Sequence, residues 1–525
     1  MARQVAPAEL RAMIGDGGEV AILDLREELA FSESHLLHAR ALPLSRLELR
    51  LAALVPRRTT RVVLCDDDDG LAARGAEKLA AFGYGDVAVL AGGIAAWTAA
   101  GFELFSGVNV PSKAFGEYVE HRCGTPHIAA EALHRLIEEH GDVVVLDSRP
   151  YDEYQRVSIP TGVDVPGAEL VLRVRDLAPD PNTLIVVNCA GRTRSIIGAQ
   201  SLINAGVPNR VVALKNGTMG WSLAGFTPDH GQDRRAPLPS APALAWARAA
   251  AVKVAERFGA TRIDAATLAR FQDDAARTTY LFDVRDPGEY AAGHLPGAVS
   301  APGGQLVQAT DHYVGTLGAR LVLVDPLEVR AFMTASWLKQ MGWKDVYVLA
   351  AEGRETGWPK PVVLGAPARP ELAVDPAQLA DLLARDAATV IDLASSRSFR
   401  EGHIEGAWFA IRARLARALE RVKPHGTLVL TSEDGVIAAL AAPEAAALVR
   451  VPVRFLAGGT AAWTASGRTL ARGEANMADE PIDLWLKPYE RARGVKAAME
   501  EYLNWEVDLL PRIDRDGTCR FLAPA

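Results

Sequence analysis

One pattern recurs four times in this chain and restricts its architecture more than any other feature: a short apolar strand that ends in Asp. The copies are Ala21-Ile22-Leu23-Asp24, Val144-Val145-Leu146-Asp147, Tyr280-Leu281-Phe282-Asp283 and Thr389-Val390-Ile391-Asp392. Three copies continue with x-Arg, at Arg26, Arg149 and Arg285, and the fourth has Ala394 there. Each copy then carries a second apolar strand: Val62–Leu64, Leu184–Val187, Leu321–Val324 and Leu428–Leu430. A loop, a helical stretch, a third strand and a turn ending in Trp97, Trp221, Trp358 or Trp463 complete the unit. The Asp positions lie roughly 110–135 residues apart, which is the size of a domain and not of a solenoid repeat. Short apolar runs alternating with helical stretches predict an α/β fold, each unit a small parallel sheet with helices on both faces. Loops after the strand C-termini are the expected functional positions.

This reading divides the chain into 1–107, 108–235, 236–366 and 367–475, with a C-terminal helical tail over 476–525. The charged, Pro-rich stretch Gly231–Pro242 reads as a linker leading into a helix over Ala243–Phe258. In the tail, Pro488–Leu503 has the pattern of an amphipathic helix with Pro in its first turn, suited to docking on a neighbouring domain.

Composition excludes several classes. A net charge of -8 with no Lys/Arg run argues against nucleic acid as a partner. No run of apolar residues is long enough for a membrane span, and Met1–Pro7 lacks the apolar core of a signal peptide. The four cysteines, Cys65, Cys123, Cys189 and Cys519, are far apart and form neither a disulfide framework nor a metal spacing. A reducing cytoplasm is the expected compartment, no metal or cofactor site is visible, and each cysteine has to be weighed as a nucleophile. Oligomeric state, homo-oligomer included, stays open.

The run Leu281-Phe282-Asp283-Val284-Arg285-Asp286-Pro287-Gly288-Glu289-Tyr290, with Gly293-His294-Leu295-Pro296-Gly297-Ala298, resembles the signature near the start of a rhodanese domain. Cys189-Ala190-Gly191-Arg192-Thr193-Arg194-Ser195 resembles the rhodanese active-site loop, and Gly-Gly-x-x-x-Trp closes the first and fourth copies as in that family. The resemblance covers nearly all of residues 1–470 and extends to bacterial four-repeat proteins described as thiosulfate sulfurtransferases. It implies four tandem rhodanese-like domains, a persulfide-forming cysteine, a small anionic sulfur donor such as thiosulfate, and a thiol or cyanide acceptor.

Sulfur transfer needs a thiolate near neutral pH. Cys189 follows the strand Leu184–Val187 and precedes a helix expected over Ser195–Ala205. Amides of Ala190 to Ser195 are placed to curl round an anion at a helix N-terminus, Gly191 permits the tight path, and Arg192 and Arg194 add positive charge. Matching the following helices puts Asp66, not Cys65, opposite Cys189, and puts Asp325 and Ser432 there in the third and fourth copies. None of these three can carry a persulfide. Cys65 precedes four aspartates, Cys123 sits in a linker-like stretch and Cys519 in the tail; each is expected to be passive.

Asp147 and Arg149 are expected to support the sheet end, and Glu169 and Arg173, at i,i+4, either to border the substrate pocket or to form an ion pair. Lys215 and Asn216 fall on a loop at the same edge, and His35, His294 and His403 sit at matching places that suit a role in the fold. Four residues separate Cys189 from Arg194, whereas related cell-cycle phosphatases carry five. The resemblance therefore favours sulfur transfer over phosphoester hydrolysis. A scaffold or sensor with a regulated Cys189 is the alternative, kept open by the three copies that lack the nucleophile.

Overall fold

The computed structural model describes residues 2–365 and 369–522. The boundary expected between 366 and 367 lies outside the described residues. Each copy of the pattern is a five-stranded parallel sheet in one order. In the second it runs His127–Ile128, Val211–Leu214, Leu184–Asn188, Val143–Asp147, Val163–Asp164. The three inner strands are hydrogen-bonded on both sides and largely buried, which explains their unbroken apolar runs.

The first repeat departs from this plan. Its short edge strand Arg40–Ala41 pairs only with Leu23 and Asp24, leaving Val20 and Ala21 open on that edge. Thr316–Leu317 of the third repeat covers them, antiparallel. A sheet edge that would otherwise present unpaired amides is closed by a neighbouring domain.

Two devices recur at the strand ends. Arg26, Arg149 and Arg285 each fold back on the Asp two residues earlier, with Nη2 to Oδ2 at 2.7, 2.8 and 2.6 Å. Each also donates to a carbonyl eight residues on, that of Ser34, Val157 and Gly293. A planar guanidinium thus locks strand end to loop through its buried Nε and Nη2. His35, His294 and His403 stack on Phe31, Tyr290 and Phe399 at 3.9, 4.0 and 3.9 Å, and each ring Nδ1 meets the carbonyl of the same residue. Each heads a bridge to the strap closing its domain, to Phe105, Glu355 and Ala471; Ser158 takes this place in the second repeat, opposite Asp229.

Trp97, Trp221 and Trp463 are buried, and each indole N–H donates to a carbonyl six residues later. The third repeat differs: no helix follows its last strand, Val346–Leu349, and Trp358 is 62% exposed. It lacks the positive-φ glycine that opens the closing helix elsewhere, Gly93, Gly217 and Gly459.

The repeats are fused. The helices Thr193–Asn204, Ala241–Phe258 and Val329–Gln340 share one apolar core between the second and third repeats. Arg330 pairs there with Glu169 at 2.9 Å, and Trp337 donates to Ser201. The first and fourth repeats meet through Arg412 and Glu48, bonded twice at 2.8 and 2.9 Å. The tail helix is Val495–Asp516 rather than Pro488–Leu503. Pro488 opens a single 3₁₀ turn, and Gly494, in the left-handed region, starts the helix proper. Cys123, expected in a linker, ends the helix Val110–Cys123, which Gly124 terminates at φ +61.

Candidate active site

Cys189 stands one residue past the strand Leu184–Asn188, with Thr193 opening the following helix. The sulfur is almost wholly enclosed, at 2% exposure. Its thiol donates to Ser195 Oγ at 3.4 Å, and the Ser195 hydroxyl donates to the Arg192 carbonyl at 2.8 Å. Among the described residues, no carbonyl or side chain accepts from the amides of Ala190 to Ser195 apart from bonds inside the helix. The loop is therefore a cradle of free N–H groups at a helix N-terminus.

The loop is held from behind. Asn188 donates to Asp147 at 2.8 Å and to Thr218 at 3.2 Å, linking the Asp147–Arg149 pair to the residue before the nucleophile. Thr218 and Met219 amides donate to the Cys189 and Ala190 carbonyls at 2.8 and 3.0 Å. Gly217, at φ +55, lies so close to the Cys189 carbonyl that any Cβ would collide with it. Gly93 and Gly459 stand equally close to the Asp66 and Ser432 carbonyls, so in the first, second and fourth repeats this glycine lets a second turn press on the loop.

The two loop arginines have different surroundings. Arg194 lies next to the sulfur and is gripped by Glu153 at 2.8 and 3.2 Å and by Gln305 of the third repeat at 3.2 Å. Burial opposes its charge, yet the Glu153 carboxylate and the Cys189 sulfur hold its pKa above the usual arginine value. Arg192 turns back instead. It forms two bonds of 2.7 Å with Glu117, a third with Glu120 and one of 3.2 Å with Asn216, fastening the loop to the helix Val110–Cys123. The charge expected beside the thiolate from both arginines comes from Arg194; Arg192 is a clamp.

Glu169 and Arg173 do not line the cavity at Cys189. They form their i,i+4 ion pair at 2.8 Å, part of the buried network that reaches Arg330. Lys215 is exposed, and Asn216 serves as the Arg192 partner. Of the other cysteines, Cys65 is buried at a strand end with its pKa pushed well above the usual value by burial and by Asp24. Burial also raises Cys123, and it pushes Cys519 up to about 12.

In front of Cys189 lies a cavity of about 470 Å³ whose walls come from every part of the chain. The second repeat supplies the loop, Asp152, Glu153 and Arg156. Glu28 comes from the first repeat, Gln308 and His312 from the third, and Arg397 from the fourth. The tail contributes Trp485, Lys487, Tyr489 and Tyr502. Behind this wall, Glu506 is fully buried and receives Lys113 at 3.0 Å, Tyr502 at 3.2 Å and Thr193 at 3.3 Å. Its other oxygen faces Gly191, where a Cβ would come within 3.1 Å. Sequence reasoning missed Glu117, Glu153, Gln305 and Glu506. They lie up to some three hundred residues away in the chain and carry no motif of their own.

At the matching position of the other repeats the side chain accepts the amide six residues on, the residue whose counterpart here, Ser195, takes the Cys189 thiol on its hydroxyl oxygen. Asp66 takes Ala72 N–H at 2.9 Å, Asp325 takes Ala331 at 3.4 Å, and Ser432 takes Ala438 at 3.4 Å. These contacts place Asp66, Asp325 and Ser432 in register with Cys189.

A rhodanese-like domain model matches residues 6–100, 129–224, 264–351 and 375–466. The crystal structure of a thiosulfate sulfurtransferase from Pseudomonas aeruginosa is 49% identical, with a TM-score of 0.97 and 100% of both chains covered. The HTH-type transcriptional regulator Rv0324 of Mycobacterium tuberculosis is 35% identical over 111 residues, 21% of this chain; the match spans about half, 47%, of that relative. Four matched segments spanning most of the chain, each folded as the same five-stranded unit, place this protein in the rhodanese family.

Proposed function

We propose that this protein is a sulfurtransferase that moves sulfane sulfur from a small anionic donor, thiosulfate being the model, to a thiophilic acceptor through a persulfide on Cys189. The Cys189 thiolate attacks the outer sulfur of thiosulfate. The sulfur–sulfur bond of the donor breaks, its electron pair leaves with sulfite, and Cys189 holds the transferred sulfur. A thiolate or cyanide then attacks that terminal sulfur and releases the Cys189 thiolate, so no external oxidant or reductant is needed.

The observation that carries this reading is a nearly enclosed thiol in a cradle of unpartnered amides, opening on a cavity in the size range of small-molecule sites. Free amides and the Arg194 charge stabilise a thiolate, and then the persulfide anion, without a metal. Once Cys189 is ionised, the Ser195 hydroxyl has an anionic acceptor 3.4 Å away to which it can turn from the Arg192 carbonyl. Thiosulfate reaches the sulfur past Arg194, while Arg192 keeps the loop in shape. The three repeats without a nucleophile act as walls of this one site, which removes the need for a separate scaffold role. No described helix is long and apolar enough to cross a membrane. Four unpaired cysteines suit a reducing cytoplasm.

The test is intact mass of the reduced protein before and after thiosulfate. A gain of about one sulfur, reversed by cyanide or a thiol, is expected on the native chain. No gain with thiosulfate or a low-molecular-weight persulfide would overturn the assignment.

A further inference from the structure

The strand-end lock has a gap in the fourth repeat. In the first repeat, Arg26 is held by three acceptors: Asp24, the Ser34 carbonyl at 2.5 Å and Asp67 at 2.8 Å. The fourth repeat keeps the counterpart of each. Asp392 stands for Asp24, Gly402 for Ser34, and Glu433, next to Ser432, for Asp67. Ala394 accounts for the missing cation. Its amide still donates to Asp392 Oδ1 at 2.9 Å, as the Arg26 amide does to Asp24 at 3.1 Å, so the backbone is unchanged.

What remains beside Ala394 is a cavity of about 220 Å³ with Gly402 and Glu433 in its lining, and it opens to solvent beside Ala461 and Thr464. Asp392 is 0% exposed, and its Oδ2, the atom that takes the guanidinium in the other three repeats, has no partner. Glu433 accepts the Ser395 amide with one oxygen, and its other oxygen is 3.9 Å from Arg46. A buried acceptor without a donor is costly, and a ligand that supplies planar N–H donors removes that cost. With burial unrelieved, the Asp392 carboxyl is pushed up to about 7.

We propose that this cleft binds an alkylguanidinium group, which completes with Asp392, the Gly402 carbonyl and Glu433 the bridge that Arg26 makes within the first repeat. An ammonium ion lacks the planar fork that meets a carboxylate and a carbonyl together, so a guanidinium is preferred over a lysine-like amine. The group can arrive on a free small molecule or on an arginine side chain.

The experiment is a calorimetric titration of the full chain with methylguanidinium chloride, beside methylammonium chloride at equal ionic strength. Saturable binding of methylguanidinium, at least tenfold tighter than methylammonium, is expected. Ala394→Arg, which fills the cleft from within, should abolish it and raise Tm without ligand. Asp392→Asn should weaken binding at least tenfold; should that variant fail to fold, Ala394→Arg alone decides. An arginine-containing peptide that binds tighter than methylguanidinium, and is blocked by Ala394→Arg, would identify a polypeptide as the source; equal affinity would identify a free ligand. No saturable heat on the native chain, or the same heat with Ala394→Arg, overturns the proposal.

Discussion

The active loop of the second repeat and the same loop of the third differ by what completes them. Both carry an arginine five residues after the key position, Arg194 after Cys189 and Arg330 after Asp325. In the third repeat, Asp325 accepts the Leu327 and Arg330 amides at 3.1 and 2.9 Å and the Arg330 guanidinium at 2.9 Å. The cradle is filled by an anion belonging to the chain itself. In the second repeat, the amides are left free and the position is a thiol facing a cavity. One architecture thus serves as a helix cap where it carries its own carboxylate, and as a reaction site where the anion has to be made and remade.

Cys189→Ser tests the comparison most severely. Turnover of thiosulfate should fall by at least about 10³-fold, with no sulfur gained in intact mass. Placing Asp325→Cys in that background should not restore sulfur uptake, because residue 325 is fully buried and Arg330 stays bound by Glu169 and Glu289. Uptake at residue 325 would show that loop chemistry alone separates the repeats.

Removing the internal anion should cost stability instead of activity. Asp325→Ala leaves buried amides and part of the Arg330 charge unpaired, for a loss of about 3 kcal/mol in chemical denaturation. A loss below about 0.5 kcal/mol would mean that the carboxylate is not what completes this loop. Next in size, Arg194→Gln should lower kcat/KM for thiosulfate by about 10- to 100-fold, since it removes a positive charge beside the sulfur. Arg192→Gln should act mainly on stability, through Glu117. Equal kinetic losses at both positions would contradict the division of roles between them.

The smallest effect extends the comparison to the fourth repeat. Asp147 has a guanidinium partner, whereas Asp392 has none and is raised to about 7 by burial, with Glu433 adding to the rise and Arg46 opposing it. The native state then holds a proton that the unfolded chain releases near pH 4, so stability falls as pH rises from about 4 to about 7. That fall should shrink in Asp392→Asn, read from denaturation midpoints at several pH values. An unchanged pH profile would mean that Asp392 finds a cation in the native protein.

The repeat pattern, the Asp-x-Arg locks, three of the closing tryptophans and the register that sets Asp66 rather than Cys65 opposite Cys189 were legible in the chain, because each rests on contacts within about ten residues or on a period that repeats. The third closing turn was misread for the same reason: Gly357-Trp358 has the right letters, but nothing seats its helix. Thr316–Leu317 entering the first sheet had no local signal, and neither did the tail helix reaching Gly191 through Glu506.

By itself, then, the sequence determined four parallel α/β units and one cysteine-bearing strand-to-helix loop, since strand period, turn glycines and the anion-binding backbone are local physics. Only the tertiary structure decided which arginine faces the sulfur, which carboxylates restrain it, and that three unreactive repeats and a tail enclose the site. Those outcomes depend on which distant surfaces are buried against each other, and a charge has no fixed role until its partner is in place.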